Sequence, residues 1–431
     1  MNIGFISTRF HGTDGVSLEA AKWVDVLERD LGHTAYWFAG KLDTPADRSY
    51  LCDKAFFEHP DVYMIQRTLF GLQFERPPEI TSYVTRIKND LKAHLKAFID
   101  QFGIDLIIPQ NILAIPMNVP LGLALTELIE ETRIPTVAHH HDFAWERVRF
   151  QHSAAEDYLN QAFPPAFTDH FSHVVINSKA VQDIASHRQV PATVVPNVFD
   201  FENPPPEPDG YAADFRAEFD IGEDEKLILQ PTRIVPRKGI ESAIDFVARL
   251  HRNGVKASLV ISHLAGDEGY EYLDSLKRLA NQTGVRLHRI GNRVAEHRGT
   301  NEDGQKIYTL WDIYPHADFV SYPSLYEGFG NAFLEALYFR KPILVNRYSV
   351  YRADIEPLGF KAITMDGILT DEAVDQTIAL LNDPKKQEEW AEHNYQLCLH
   401  HFSYIALRNK LELCLTEALT QNPSLASHRS S

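Results

Sequence analysis

Cysteine is scarce in this chain, with Cys52, Cys398 and Cys414 alone among 431 residues. They lie far apart along the chain and in no zinc or redox spacing, so no disulfide framework is implied, which fits reduced thiols and a cytoplasmic location. Positive charge is also in short supply: 42 basic residues face 59 acidic ones, for a formal charge of −17. Such a surface repels polyanions, which excludes a general nucleic-acid binder and argues against stable association with an anionic membrane. A local basic patch stays open. No apolar run reaches the ~20 residues of a bilayer-crossing helix. Asn2 to Ser7 reads as a strand directly after Met1, without a basic n-region, so no leader peptide is expected.

The 44% hydrophobic and 23% charged content is that of a globular protein, and 431 residues exceed one ordinary core. Short apolar runs alternate with helical periodicities along the chain. Strand Asn2 to Ser7 precedes a helix marked by Val16, Ala20, Val24, Leu27 and Leu31. Strand Thr34 to Phe38 follows, then a helix from about Tyr83 to Phe102, strand Asp105 to Pro109, a helix from about Leu113 to Glu131, and strand Pro135 to Ala138. Strand His173 to Asn177, a helix near Lys179 to His187 and strand Thr193 to Val195 complete this series. Asn203-Pro-Pro-Pro-Glu-Pro-Asp-Gly210 cannot continue a helix or a central strand and marks a connection. A second series begins at strand Leu227 to Thr232 and runs through Ala257 to Ser262, Arg286 to Ile290, a short helix near Lys306 to Tyr314, and strands Phe319 to Tyr322 and Ile343 to Asn346. Repeated βα units imply doubly wound parallel sheets, so the expectation is α/β with two Rossmann-like domains. Residues 1–200 form the first and 201–401 the second; the apolar stripe of 402–420 either packs back on the first domain or stays with the second, and 421–431 read as disordered.

The densest chemistry lies in Asp318-Phe-Val-Ser-Tyr-Pro-Ser-Leu-Tyr-Glu-Gly-Phe-Gly-Asn-Ala-Phe-Leu-Glu-Ala-Leu337. A buried strand runs into a turn with Pro323, Gly328 and Gly330, then into an apolar helix. Glycines there admit a ligand to the backbone, and the helix start offers N–H groups to an anion. Glu327 and Glu335 bracket the turn with seven residues between them, so both are able to face one crevice. A second basic turn, Pro231-Thr-Arg-Ile-Val-Pro-Arg-Lys-Gly239, holds Arg233 and Lys238 at a strand end. That pairing suits a diphosphate, with a solvated surface turn as the plain alternative. His139, His140, His141 and Asp142 close another strand. Consecutive strand residues point to opposite faces, so spacing alone does not favour one metal ion there.

Tyr326-Glu-Gly-Phe-Gly-Asn-Ala-Phe-Leu-Glu-Ala336 resembles the glutamate-seven-glutamate signature of retaining glycosyltransferases of the GT-B fold, family 4 type, the group 1 glycosyltransferases. The resemblance implies two Rossmann-like domains with an interdomain cleft, a nucleotide-sugar donor as co-substrate, and no cofactor or metal. It assigns Arg233 and Lys238 to the donor phosphates, Glu335 to ribose hydroxyls, and Glu327 with the backbone of Phe329, Gly330, Asn331 and Ala332 to the transferred sugar and its phosphate. Gly15 and Val16 match the family's glycine-rich loop after the first strand, although on spacing Gly12 and Gly15 are also an ordinary turn. Gly291-Asn-Arg-Val matches the loop that meets the base, which places Arg293 and Val294 at the donor. One histidine at the His139–His141 strand end meets the sugar or acceptor across the cleft; His141 aligns first, His140 second, with Asp142 on the acceptor side. Arg237 has no support from the resemblance. The segment Tyr348-Ser-Val-Tyr-Arg-Ala-Asp-Ile-Glu-Pro357 replaces the family's usual glycine-rich stretch.

The expected activity is retaining transfer of a hexose, from a GDP-mannose or UDP-glucose type of donor, to a small soluble sugar, sugar phosphate or hydroxy acid. A lipid or polysaccharide acceptor, a nucleotide-sugar epimerase or phosphorylase, and a non-enzymatic nucleotide-sugar sensor remain as rivals. Neither the nucleotide nor the oligomeric state is legible in the sequence.

Overall fold

The computed structural model describes residues 1–12, 14–71, 75–264 and 270–420. Thr13 and the tail 421–431, read from sequence as disordered, lie outside the described residues. The chain forms two compact units, one built from Met1–Asn197 with the chain from Tyr404 onward, the other from Val198–Ser403.

Unit 1 is a seven-stranded parallel sheet in the order β3-β2-β1-β4-β5-β6-β7, with β1 at Asn2–Ile6, β2 at Thr34–Ala39, β3 at Ser49–Leu51, β4 at Leu106–Pro109, β5 at Thr136–His140, β6 at Phe171–Val175 and β7 at Thr193–Val194. β4, β5 and β6 are buried at every residue, as central parallel strands covered on both faces must be. The chain lays β2 and β3 on one side of β1 and then returns to lay β4 on the other. Connections leaving β1 and β4 therefore diverge at the carboxyl ends, which is where an open α/β sheet takes its ligands. The helix Gly15–Arg29 leaves β1 with Asp14 as N-cap, its side chain accepting from the Val16 and Ser17 N–H groups. It buries Ala20, Trp23, Val26 and Leu27 and ends at Arg29, two residues before the last position of the expected stripe. The C-terminal helix Tyr404–Thr420 belongs to this unit, with Leu407, Leu411, Cys414, Leu415 and Ala418 buried and Lys410 Nζ donating to the Val194 carbonyl at 3.0 Å.

Unit 2 repeats the plan with six parallel strands in the order β10-β9-β8-β13-β14-β15: β8 at Lys226–Gln230, β9 at Ala257–Ile261, β10 at Arg286–Arg289, β13 at Phe319–Tyr322, β14 at Ile343–Asn346 and β15 at Ile363–Met365. The order reverses between β8 and β13. A short antiparallel pair, β11 at Gly299–Thr300 and β12 at Lys306–Ile307, stands apart from the sheet.

Several elements depart from the sequence expectation. The helix expected from Leu113 starts at Val119, because Asn118 caps it by accepting from Leu121 N–H at 3.1 Å. The long helix begins five residues earlier, at Pro78, since proline suits a first helical turn. The helix expected over Lys306 to Tyr314 is instead strand β12 followed by a single turn, Leu310–Ile313, capped reciprocally by Thr309 and Asp312. Strands β3 and β15, three residues each, and the helix Pro60–Leu69 had no counterpart in the sequence reading.

The core of unit 1 carries a buried histidine pair. His173 Nε2 donates to the Phe167 carbonyl at 3.2 Å, so its Nδ1 is the acceptor for His140 Nε2–H at 3.0 Å. Burial pushes His173 down to about 4 and holds His140 well below its ordinary value. The unfolded chain protonates these rings below about pH 6.5, whereas the folded chain leaves His173 neutral until near pH 4. Between those values the unfolded state binds more protons, so stability falls as pH falls, by about 2 kcal/mol at pH 5 for His173 alone. The thermal midpoint is expected to drop between pH 7 and 5, and His173→Gln, neutral throughout, to flatten that slope. Parallel pH curves for wild type and variant would contradict this account.

Candidate active site

In unit 2 the turn after β13 is fixed by Gly330, whose φ of +122° and surroundings admit no other residue. A Cβ there would sit 2.2 Å from the Tyr348 hydroxyl, which donates to the Phe329 carbonyl at 2.7 Å. The Tyr348 segment that departs from the family pattern is thus the support of this turn, and Tyr322 and Tyr348 meet edge to face behind it. The Phe329 ring is buried against Phe402, so Phe329 offers a ligand only its backbone. The helix Asn331–Tyr338 follows at once. Its first N–H groups have no acceptor within the helix, which places a positive partial charge at the end of the sheet.

The basic turn after β8 packs onto this loop. Gly239 has φ +60°, and a Cβ on it would meet the Pro323 carbonyl at 2.5 Å. That close approach brings Pro236–Lys238 against the end of β13. The Arg237 carbonyl accepts from Leu325 N–H at 2.8 Å, and Arg237 Nη1 reaches Glu327 Oε2 at 2.9 Å. Lys238 Nζ binds the other oxygen, Oε1, and lies 5.8 Å from the Tyr322 ring centroid. The side chains of Glu327 and Lys238 are only 9% and 11% exposed. Burial alone would raise the Glu327 carboxyl, but Lys238 and Arg237 outweigh it and hold Glu327 below the usual range, so it is ionised at neutral pH. Burial lowers Lys238, and Glu327 opposes that shift. Arg233 is exposed and has no carboxylate partner among the described residues. His263, beyond β9, is pushed down to about 4 by burial and by the charges of Lys238 and Arg233.

Glu335 accepts from the buried Tyr314 hydroxyl at 3.2 Å, an internal partner that the apolar run around it did not reveal. Arg293 is buried: Nε donates to the Lys306 carbonyl at 2.6 Å and Nη2 to Glu218 at 2.8 Å, with Phe219 and Tyr308 beneath the guanidinium. Its side chain anchors the β12 segment, and Val294 bridges to Tyr308, so this loop presents backbone.

In unit 1 the polar end of the sheet is organised by Gln110 and Asn111, directly after β4. Ser7 donates from Oγ to the Gln110 carbonyl at 3.1 Å. Gln110 Oε1 is shared by His139 Nδ1 at 3.0 Å and His141 Nε2 at 3.2 Å, which leaves His141 Nδ1 as the lone-pair nitrogen. His139 stacks on Trp23 at 4.1 Å and, like His140, is buried. His141 alone of the three keeps exposed surface, and burial of the rest of its ring lowers it to about 4 against the opposing pull of Asp142 and Asp14. Asn111 fixes the corner: Oδ1 accepts from His141 N–H at 3.0 Å, and Nδ2 donates to Asp142 at 2.8 Å. Gly15 is exposed as the first residue of its helix, with Val16 tied to Asp14. Among the described residues no three His, Cys, Asp or Glu side chains gather as a metal site would require.

Each unit thus assembles its polar residues at the reversal point of its own sheet. Arg237, Gln110, Asn111 and Tyr348 are the members that sequence reasoning missed. Gln110 and Asn111 had a readable signal, being a polar pair at the carboxyl end of an apolar strand. Arg237 had only its adjacency to Lys238.

The model of the glycosyl transferases group 1 family matches residues 212–397. Mannosylglucosylglycerate synthase of Thermotoga maritima is 33% identical over 443 residues, covering 95% of this chain and 99% of that protein. The enzyme of the same name from Petrotoga mobilis is 33% identical and covers 85% and 86%. Among solved structures, a Rickettsia africae glycosyltransferase superposes with a TM-score of 0.66 at 11% identity over 98% of this chain and 99% of that one. Sucrose-phosphate synthase of Thermosynechococcus elongatus gives 0.65 at 14% identity over 98% and 100%. These likenesses establish the GT-B fold. With the signature turn in place and a relative matched along nearly its whole length, the chain belongs to the group 1 glycosyl transferases.

Proposed function

We propose that this glycosyltransferase moves a hexose, mannose foremost, from a nucleoside diphosphate sugar to a small acidic sugar acceptor of the glucosylglycerate kind, with retention of configuration and without a metal ion. The observation that carries the reading is the convergence of Arg237, Lys238 and Glu327 beside the Gly330 turn and the helix start that follows it. The full-length likeness to two mannosylglucosylglycerate synthases supports the choice of sugar and acceptor. Unit 2 takes the donor and unit 1, with its C-terminal helix, the acceptor. Arg233 and Lys238 hold the diphosphate, joined by the backbone of Gly330, Asn331 and Ala332. Glu335 binds ribose hydroxyls, Arg293 and Val294 offer backbone to the base, and Glu327 meets the transferred sugar. Gly15 and Val16 border the donor phosphates, while His141 and Asp142 meet sugar and acceptor hydroxyls, with His140 supporting them from the core.

In the transfer, the bond between the anomeric carbon and the phosphate oxygen breaks and its electron pair goes to the diphosphate. Fixed cations there stabilise the transition state more than the ground state. The acceptor oxygen bonds the anomeric carbon from the same face and gives its proton to the departing phosphate oxygen. Glu327, committed to Lys238 and Arg237, is no free nucleophile, which favours this front-face route over a covalent intermediate. His141, unprotonated at neutral pH, offers Nδ1 as an acceptor.

Glu335→Ala is expected to weaken nucleotide-sugar binding by about 1–3 kcal/mol in calorimetry, the usual size for a charged hydrogen-bond partner; unchanged affinity would remove Glu335 from the donor site. Lys238→Ala is expected to lower kcat by a larger factor than it raises the donor dissociation constant, and equal factors would mean that it serves ground-state binding alone. Proton NMR of fresh product should read an α-linkage from an α-linked donor, and activity should survive a chelator. A β-linkage would overturn retention, and activity lost in chelator but restored by magnesium or manganese would overturn metal independence.

A further inference from the structure

At the amino ends of β13 and β14, the opposite end of these strands from the signature turn, unit 2 holds a cavity of about 370 Å3 whose lining includes Arg216, His316, Asp318, Arg340 and Lys341. Asp318 is the only acid in that lining, against three permanent cations. It already takes three donors: Arg216 Nη2 and the Leu227 N–H, each at 2.9 Å, and Lys226 Nζ at 3.1 Å. Arg216 and Lys341 meet on neighbouring carbonyls, for Arg216 Nη2 also donates to His316 at 3.2 Å and Lys341 Nζ to Pro315 at 3.1 Å. Lys341 has no carboxylate partner among the described residues. Burial lowers its ammonium, with Asp318 opposing that shift and Arg216 adding to it. Arg340 places Nη1 on Glu392 and its guanidinium 4.2 Å from the Tyr395 ring centroid, and makes no hydrogen bond through Nε or Nη2 among the described residues.

The helix Asn331–Tyr338 ends here, and its last carbonyls attract cations. That accounts for neither side chain, because Lys341 donates to a carbonyl of another segment and Arg340 turns to Glu392. The backbone is equally telling. Arg340 has φ +55°, in the left-handed region where glycine closes a helix at least cost, and the Lys341 N–H returns to the Ala336 carbonyl at 2.9 Å to complete that close. An arginine in a glycine conformation, next to a half-buried lysine without a counterion, is a poor arrangement for stability alone. On a chain of formal charge −17, the lining carries three cations against one acid, a local excess of two positive charges. A tetrahedral dianion matches that excess, since a guanidinium takes two oxygens side by side and an ammonium a third. The volume also lies within the range of about 300–1,000 Å3 usual for small-molecule sites.

We propose that this cavity binds a phosphate dianion, free or as the ester of a small sugar, through Lys341 and Arg340, with Arg216 supplying charge from the wall. The site is separate from the signature turn, which follows the carboxyl end of β13, so its occupant leaves that turn open.

The test is calorimetry of the full chain with inorganic phosphate and, separately, with glucose 6-phosphate, against sodium chloride at matched ionic strength. Saturable binding of one phosphate group per chain is expected. Lys341→Gln should weaken it by roughly tenfold or more, the size of a lost charged hydrogen bond. Arg340→Gly should weaken it several-fold while the thermal midpoint holds or rises, because glycine suits the backbone there. Arg233→Ala, at the other end of the sheet, should leave it unchanged. Tighter binding of glucose 6-phosphate than of phosphate would identify a sugar ester as the occupant, and its exclusion would identify free phosphate. No binding of either anion beyond the chloride control would overturn the inference. So would binding that survives both Lys341→Gln and Arg340→Gly, or that is lost in Arg233→Ala alone.

Discussion

The carboxylate of Glu327, held on one oxygen by Arg237 and on the other by Lys238, is the contact on which the candidate site of unit 2 depends. Few charged groups in the chain are so nearly removed from water while pairing across two separate loops. Taking such charges out of water is expensive, and removing one partner of a buried pair costs about 3–5 kcal/mol because the other is left stranded. Glu327 is therefore not interchangeable with a neutral residue. It fixes the direction of Lys238, ties the Pro236–Gly239 turn to the Leu325–Gly330 loop, and leaves Arg233 as the exposed cation of the set.

Around that contact the backbone is equally constrained. Gly239 lets the basic turn touch Pro323, and Gly330 lets the opposite loop pass the Tyr348 hydroxyl. Both loops leave adjacent strands, β8 and β13, at the place where the sheet order reverses. Unit 1 uses the same device at β1 and β4, with Gln110 as its hub in place of a carboxylate. A neutral amide suits that position, since the histidines around it are held neutral by burial and a charge among them would lack a counterion.

The two-sheet architecture was legible because parallel strands buried on both faces read as unbroken apolar runs, and the Glu-Gly-Phe-Gly turn was legible because glycine and proline punctuate it. Three-residue strands such as β3 and β15 leave no periodicity to read. Partners supplied from a distance were equally silent. The Glu335 partner is silent in the sequence because Tyr314 comes from another element, and Arg237 draws no support there because its partner Glu327 lies 90 positions further along the chain. Among three consecutive histidines, the family resemblance aligns His141 first; what separates it from the other two is that it lies one residue past the end of β5 and keeps exposed surface.

Whether Arg237, Lys238 and Glu327 act as one unit is most directly read from a double-mutant cycle. Among the described residues the Arg237 side chain bonds to the loop that carries Glu327, at the Tyr326 carbonyl and at the Glu327 carboxylate, so its effect on catalysis should pass chiefly through that carboxylate. With kcat/KM measured for Arg237→Ala, Glu327→Gln and the double variant, the account predicts strong non-additivity, a coupling of about 1–3 kcal/mol in which the double variant is little worse than the poorer single one. Losses that simply multiply, with a coupling below about 0.3 kcal/mol, would contradict it.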